Sequence, residues 1–225
     1  PGIFSTILKE PAGVAGIIVP WNAPAVLLIR SLAPALAAGC TAVVKPAAQT
    51  SLVTAALIRE LNIADGCMPG VINLLHERGS QVSEYLTKSE EVAVLSFTGS
   101  NAVGQKIMAA AAPSMKKLSL ELGGKSACLV FPDADLRDTA KMLANAATII
   151  SGQQCTAARR ILVEESCYEQ MKLELSNALR GIKVGSGLDQ GVHMGPLIDM
   201  AAAESVGKLI ESAMDLADEV LVRGT

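Results

Sequence analysis

Cys155 stands in the polar stretch Ser151-Gly152-Gln153-Gln154-Cys155-Thr156, between a helical pattern and a strand pattern. A cysteine nucleophile must be reachable, and its thiolate is the attacking form. The commoner fate of cysteine is a small buried hydrophobe. Cys40 and Cys128 lie in apolar runs and fit that fate, whereas the loop around Cys155 leaves both readings open. Cys67 and Cys167 carry no supporting context. Glu121 follows an apolar strand pattern and precedes Leu122-Gly123-Gly124-Lys125. A carboxylate in such a low-dielectric setting has its pKa raised toward general-base range; the plainer reading is a solvated charge at a strand end. Asn22, in Pro20-Trp21-Asn22, carries an amide that can donate to a developing oxyanion or form an Asx turn. Lys45 ends the second strand pattern in Val44-Lys45-Pro46-Ala47. From the carboxyl end of a parallel strand it can reach ligand hydroxyls or phosphate, or simply be solvated. Ser96 to Gly104 joins a strand pattern to a helical one with only Gly99 and Gly104, short of a full G-x-G-x-x-G. Such a turn exposes N–H groups where a diphosphate can sit, and it is also an ordinary strand-to-helix turn.

These residues need a frame. β-branched runs alternate with Ala/Leu-rich stretches along the chain. Strands are expected over Val14–Val19, Thr41–Val44, Val71–Leu75, Val92–Leu95, Lys117–Leu120, Ala127–Phe131 and Arg160–Val163. Helices are expected over Ala25–Ala38, Leu52–Leu61, Gln81–Thr87, Ala102–Ala111, Leu136–Ile150, Tyr168–Leu179 and Ala201–Leu216. Gly39 is placed to end the first helix. Ser51 or Thr50 is placed to cap the second, and Asp133 and Asp135 sit near the positive end of the fifth. Short apolar strands with helices between them indicate βαβ units and a parallel sheet buried on both faces. The fold class is α/β, and the pair Gly123-Gly124 is the candidate domain boundary.

The chain has 225 residues, 50% apolar and 18% charged, with a net charge of −3. This excludes disorder and leaves room for one large or two modest cores. Without a basic run, nucleic acid is not the expected partner. Pro11 to Ile29 holds no charged residue, but its glycines and prolines break a membrane span into a strand, a turn and a helix. The five cysteines, with no C-x-x-C, argue against a disulfide framework or a metal site and for a reduced, cytoplasmic setting. His76 and His193 lack metal-ligand spacing. Met108, Met115 and Met142 read as core fillers. The start at Pro1 and the end just after a strand-like run suggest a piece of a longer chain.

Pro20-Trp21-Asn22, Lys45-Pro46-Ala47, Phe97-Thr98-Gly99-Ser100 with Gly104, Glu121-Leu122-Gly123-Gly124-Lys125-Ser126 and Gly152-Gln153-Gln154-Cys155 occur in that order. Together they resemble the aldehyde dehydrogenase superfamily across essentially the whole chain. The resemblance implies a Rossmann-like cofactor domain, partial, over 1–123, followed by part of an α/β catalytic domain over 124–225. It implies oxidation of an aldehyde to a carboxylic acid. Cys155 would be the nucleophile, Asn22 and the Cys155 N–H the oxyanion donors, and Glu121 the base that activates water against the thioester. The cofactor would be NAD or NADP. Lys45 would meet the adenosine ribose, Ser100 the diphosphate, Trp21 the cofactor path and Gly123 the nicotinamide side, with Gly99, Gly104 and Leu122 shaping the same site. A homodimer or homotetramer is implied.

Departures from the family pattern limit this. The chain stops before the Glu-x-Phe-Gly-Pro block, and the bridging strand and the start of the cofactor domain are absent, so about half the usual length is expected. Ala48 stands where many members carry a Glu that bonds the ribose hydroxyls; the sequence therefore leans to dual or NADP use. Ser31, beside Arg30, stands where many members carry a Lys. A CoA-acylating relative is the nearest alternative, against which Glu121 argues. A non-catalytic dinucleotide-binding protein on the same scaffold is the other.

Overall fold

A computed structural model of the chain describes residues 2–63 and 68–223. Cys67 lies outside the described residues. The chain divides into two compact units, Pro1–Gly123 and Gly124–Thr225.

The first unit is built on five parallel strands: β1 (Val14–Val19), β2 (Thr41–Pro46), β3 (Ile72–Leu74), β4 (Val92–Thr98) and β5 (Lys117–Glu121). Their order is β3-β2-β1-β4-β5. Ile17 of β1 pairs in register with Val44 of β2 and Ser96 of β4. Helices α1 (Pro24–Ala37), α2 (Ser51–Ile63), α3 (Gln81–Lys88) and α4 (Asn101–Ala111) connect the strands. Successive strand residues face opposite sides of a sheet, so β1 feeds two cores. Ile17 packs with Leu28, Leu32, Val44 and Ile58 toward α1 and α2. Ile18 packs with Leu86, Leu95, Phe97 and Ile107 toward α3 and α4. The chain reverses its direction of travel across the sheet at β1, which makes the carboxyl edge there the usual ligand crevice of such folds.

The charge-free stretch from Pro11 to Ile29 is thus divided between β1, a turn and α1. Among the described residues no helix is long and apolar enough to cross a membrane. Gly39, at φ +81°, turns the chain out of α1 in the left-handed conformation that glycine tolerates best.

Several expectations need correction. β2, β4 and β5 run further than expected, to Pro46, Thr98 and Glu121. Neither Thr50 nor Ser51 caps α2: a 3₁₀ turn over Ala48–Thr50 leads straight into it, and the Ser51 hydroxyl donates back to the carbonyls of Ala47 and Ala48. β5 is not buried on both faces, because it is an edge strand with exposed Lys117, Ser119 and Glu121. Met108, Met115 and Met142 are exposed, not core; two lie on outer faces of helices and Met115 in a left-handed turn. The strand-like run near the end forms no strand among residues 217–223.

The second unit pairs β6 (Ser126–Val130) in parallel with β7 (Ala158–Val163) and packs α5 (Leu136–Thr148) and α6 (Tyr168–Arg180) beside them. Val130, Leu136, Ala140, Leu143, Cys167 and Met171 form its core. A last helix, α7 (Met200–Leu216), has no buried residue. Asp135 caps α5 by accepting the Asp138 N–H at 3.0 Å. Asp135→Ala is expected to cost the protein about 1 kcal/mol in denaturant unfolding. Asp135→Asn, which keeps an accepting oxygen, should recover most of that loss.

Candidate active site

Most residues singled out in the first unit come from the carboxyl ends of its parallel strands. Trp21 and Asn22 follow β1, Lys45 lies at the end of β2, and Gly99 and Ser100 follow β4. Glu121 closes β5, and Leu122 and Gly123 follow it. Trp21 and Asn22 are half-buried in the turn before α1. The N-cap of α1 is Ala23, whose own side chain makes no capping bond.

Ser100 caps α4, its hydroxyl accepting the Val103 N–H at 3.4 Å. The Gly99 N–H donates to the Glu121 carbonyl at 3.0 Å, and the Gly123 N–H donates to Asn101 Oδ1 at 3.0 Å. These bonds hold the β4 and β5 turns together. Two glycines here pack tightly against neighbouring side chains. A Cβ at Gly99 would meet the Phe97 ring at 2.4 Å, and one at Gly104 would meet Leu122 Cδ2 at 2.6 Å. Gly104 is buried, so it lets α4 approach Leu122 closely. That is the packing role of a glycine in a dinucleotide fingerprint, not a contact with the ligand itself.

Of the two readings of Glu121, a low-dielectric carboxylate or a solvated charge at a strand end, the structure shows the solvated one. Its side chain is 54% exposed because β5 is an edge strand, and Arg30 Nη1 lies 3.7 Å from Oε2. Arg30 also donates to the Thr98 hydroxyl at 3.3 Å. Ser31, next to it on α1, shares a hydrogen bond of 2.9 Å with Ser96. Arg30, not Ser31, is therefore the α1 residue that meets Glu121.

Lys45 is not a solvated lysine. It pairs with Glu77 at 3.6 Å, and the two side chains are only 12% and 11% exposed. Glu77 was not expected from the sequence. The available signal was its place in His76-Glu77-Arg78-Gly79-Ser80, an acid just ahead of a helix pattern. Lys45 also lines a cavity of about 480 Å³ between α3 and α4, together with Ser83, Glu84, Val103 and Lys106. Ala48 is exposed in the turn after β2.

In the second unit, Cys155 is exposed and free, while Cys40 and Cys167 are buried and Cys128 is half-buried. The loop around Cys155 is tied down by its neighbours. Gln153 accepts the Ile198 N–H at 3.0 Å, and the Ser151 hydroxyl donates to the Gly195 carbonyl at 2.8 Å. Gln154 donates to the Thr156 hydroxyl at 2.8 Å, and Arg159 donates to the Gly152 carbonyl. Just upstream, Ile150 and Ser151 take left-handed φ values of 50° and 54°. A β-branched residue there is strained, and such strain gathers at functional loops. Among the described residues no cluster of three metal-ligating side chains occurs.

Comparison with known proteins adds a decisive observation: a family model described as the aldehyde dehydrogenase family matches residues 1–225. The chain belongs to the aldehyde dehydrogenase family. It is 41% identical over 218 residues to a mitochondrial succinate-semialdehyde dehydrogenase of Arabidopsis thaliana, covering 97% of this chain and 41% of that one. It is 40% identical to an NADP(+) succinate-semialdehyde dehydrogenase of Escherichia coli, covering 97% of this chain and 45% of that one. Among solved structures, an aldehyde dehydrogenase C of Pseudomonas syringae, in complex with NAD+ and octanal, superposes with a TM-score of 0.90 at 32% identity. That match covers 96% of this chain and 44% of the other. The chain thus spans less than half the length of these family members. Their Rossmann-like α/β architecture is the one seen here, with its mixed helices and parallel sheet.

Proposed function

We propose that the whole protein oxidises an aldehyde to a carboxylic acid with NAD or NADP, using Cys155 as its nucleophile. The observation that carries this is an exposed thiol on a tethered polar loop, in a chain of the aldehyde dehydrogenase family. The residues at the carboxyl edge of the first unit fit a dinucleotide. Ser100 opens α4 directly after β4, where helix N–H groups favour phosphate. Lys45 lines the α3–α4 cavity, where it would meet the adenosine ribose. Trp21, Gly99, Leu122 and Gly123 would complete the path, and Gly104 would support it through Leu122. When bound, the dinucleotide supplies the hydride acceptor.

In this reading the Cys155 thiolate adds to the aldehyde carbon and forms a carbon–sulfur bond. The Asn22 amide and the Cys155 backbone N–H hold the resulting oxyanion, an interaction worth about 10²–10³ in rate. Hydride loss from the same carbon leaves a thioester. Glu121 takes a proton from water, the hydroxide adds to the thioester, and the acid leaves as the Cys155 thiolate is restored. Glu121 meets the first need of such a base, since water reaches its exposed carboxylate.

The substrate is proposed only as a class. Relatives of about 40% identity are named for succinate semialdehyde, glutarate semialdehyde and phenylacetaldehyde. The proposed division between a cofactor-binding part over 1–123 and a catalytic part over 124–225 follows the two compact units. A cytoplasmic setting and a homodimer or homotetramer belong to the same proposal. The test is the whole protein with a panel of aldehydes and each dinucleotide, followed by reduced-nicotinamide absorbance. Aldehyde-dependent reduction without added CoA is expected. Reduction that strictly requires CoA would assign the acyl group to a thiol acceptor instead, and no reduction with any aldehyde would reject the reading.

A further inference from the structure

The Lys45–Glu77 pair sits among further hydrogen-bond donors. Glu77 lies in the loop between β3 and α3. Its Oε2 accepts the Val82 N–H at 3.0 Å, and its Oε1 accepts the Ser83 N–H at 3.3 Å and the Ser83 hydroxyl at 3.4 Å. The same Oε1 is 3.6 Å from Lys45 Nζ. Two first-turn N–H groups of α3 and one lysine therefore converge on a single, nearly buried carboxylate. Both Lys45 and Ser83 also line the α3–α4 cavity.

That set of donors is what a phosphate monoester would need: an ammonium, helix N-terminal N–H groups and a hydroxyl. Here the protein has already filled it with its own anion. Burial pushes the Glu77 carboxyl up, but the Val82 and Ser83 N–H groups and the Lys45 charge outweigh it, holding the group below its ordinary value. The carboxylate is therefore charged at neutral pH. Ala48 supplies no negative charge to the ribose; Glu77 brings one from the neighbouring strand's loop, because β3 lies beside β2.

We propose that Glu77 is a specificity-determining residue: by occupying Lys45 and the first turn of α3, it excludes a 2′-phosphate from the adenosine ribose and selects NAD over NADP. This rests on the reading that Lys45 meets that ribose. It reverses the lean toward NADP that Ala48 suggested from the sequence.

The test uses the whole protein with kcat/KM measured for both dinucleotides, and equilibrium binding of AMP and of adenosine 2′,5′-bisphosphate. Wild type is expected to use NAD at least about tenfold better than NADP and to bind AMP more tightly than the bisphosphate. Glu77→Gln keeps the size and an accepting oxygen while removing the charge. It should raise the NADP/NAD ratio of kcat/KM by at least about tenfold, with bisphosphate affinity rising in parallel. A wild type that uses NADP as well as NAD overturns the proposal without any variant. So does a folded Glu77→Gln whose ratio and bisphosphate affinity are unchanged. Lys45→Ala separates the two levels. If it leaves AMP and NAD affinity untouched, the adenosine reading of this cavity fails; if it weakens both while Glu77→Gln changes nothing, only the role of Glu77 fails.

Discussion

Replacing Cys155 by serine in the whole protein is expected to abolish aldehyde oxidation while dinucleotide binding persists. The loss should be about 10⁴-fold or more, the scale seen when a covalent nucleophile is removed. Serine has nearly the same shape, so the loop tethered through Gln153 and Ser151 should survive. What disappears is the thiolate, far more nucleophilic than a hydroxyl. The structure separates this cysteine from three others on physical grounds. Cys40 and Cys167 are buried, and Cys128 is half-buried against the second unit's core. Changes at those positions should move stability, by about 1–3 kcal/mol, not turnover. Alkylation should therefore reach Cys155 ahead of Cys40, Cys128 and Cys167, and peptide mapping reads that directly. Oxidation near the wild-type rate in Cys155→Ser would sink the assignment, whatever the alkylation pattern.

How much of this was legible beforehand follows from which features are local. The alternation of strands and helices was readable because apolar runs in parallel strands are uninterrupted and are punctuated by residues such as Gly39 and Asp135, whose roles depend only on nearby backbone. The order of the blocks around Asn22, Lys45, Ser100, Glu121 and Cys155 was readable as a family likeness. Features set by sheet order were not. The sequence leaves Glu121 open between a buried-strand carboxylate and a solvated strand-end charge; β5 is at the edge, and nothing in Lys117-Leu118-Ser119-Leu120-Glu121 reports its neighbours. Lys45 and Glu77 are remote in sequence and meet because β3 pairs with β2. The methionines misled for a related reason: an apolar side chain on a helix is core only if another element covers that face, and exposed apolar surface is common on folded chains.

Glu121→Gln is expected to separate the two halves of the reaction. The amide is close in size to the carboxylate and can still meet Arg30, so the β5 turn should hold. It cannot accept a proton from water. Formation of the thioester should survive, giving a burst of reduced nicotinamide close to one equivalent per site when enzyme and substrate are mixed rapidly. The steady state should then fall by about 10²–10⁴, the usual contribution of a positioned general base. The ion pair with Arg30 does not oppose this role. At 3.7 Å, with side chains 43% and 54% exposed, it is a surface pair worth about 0–1 kcal/mol, weak enough for the carboxylate to leave it and turn toward water. Burst amplitude is the deciding quantity, because a burst is visible only when acylation outruns hydrolysis. If burst and steady state fall together, the Glu121 side chain is needed before the thioester exists, and its task is to activate Cys155 or to hold the β5 turn in place through Arg30. Glu121→Ala distinguishes those two, because glutamine can still meet Arg30 and alanine cannot: a burst lost in Glu121→Ala alone points to positioning through Arg30, and a burst lost equally in both points to the carboxylate acting on Cys155.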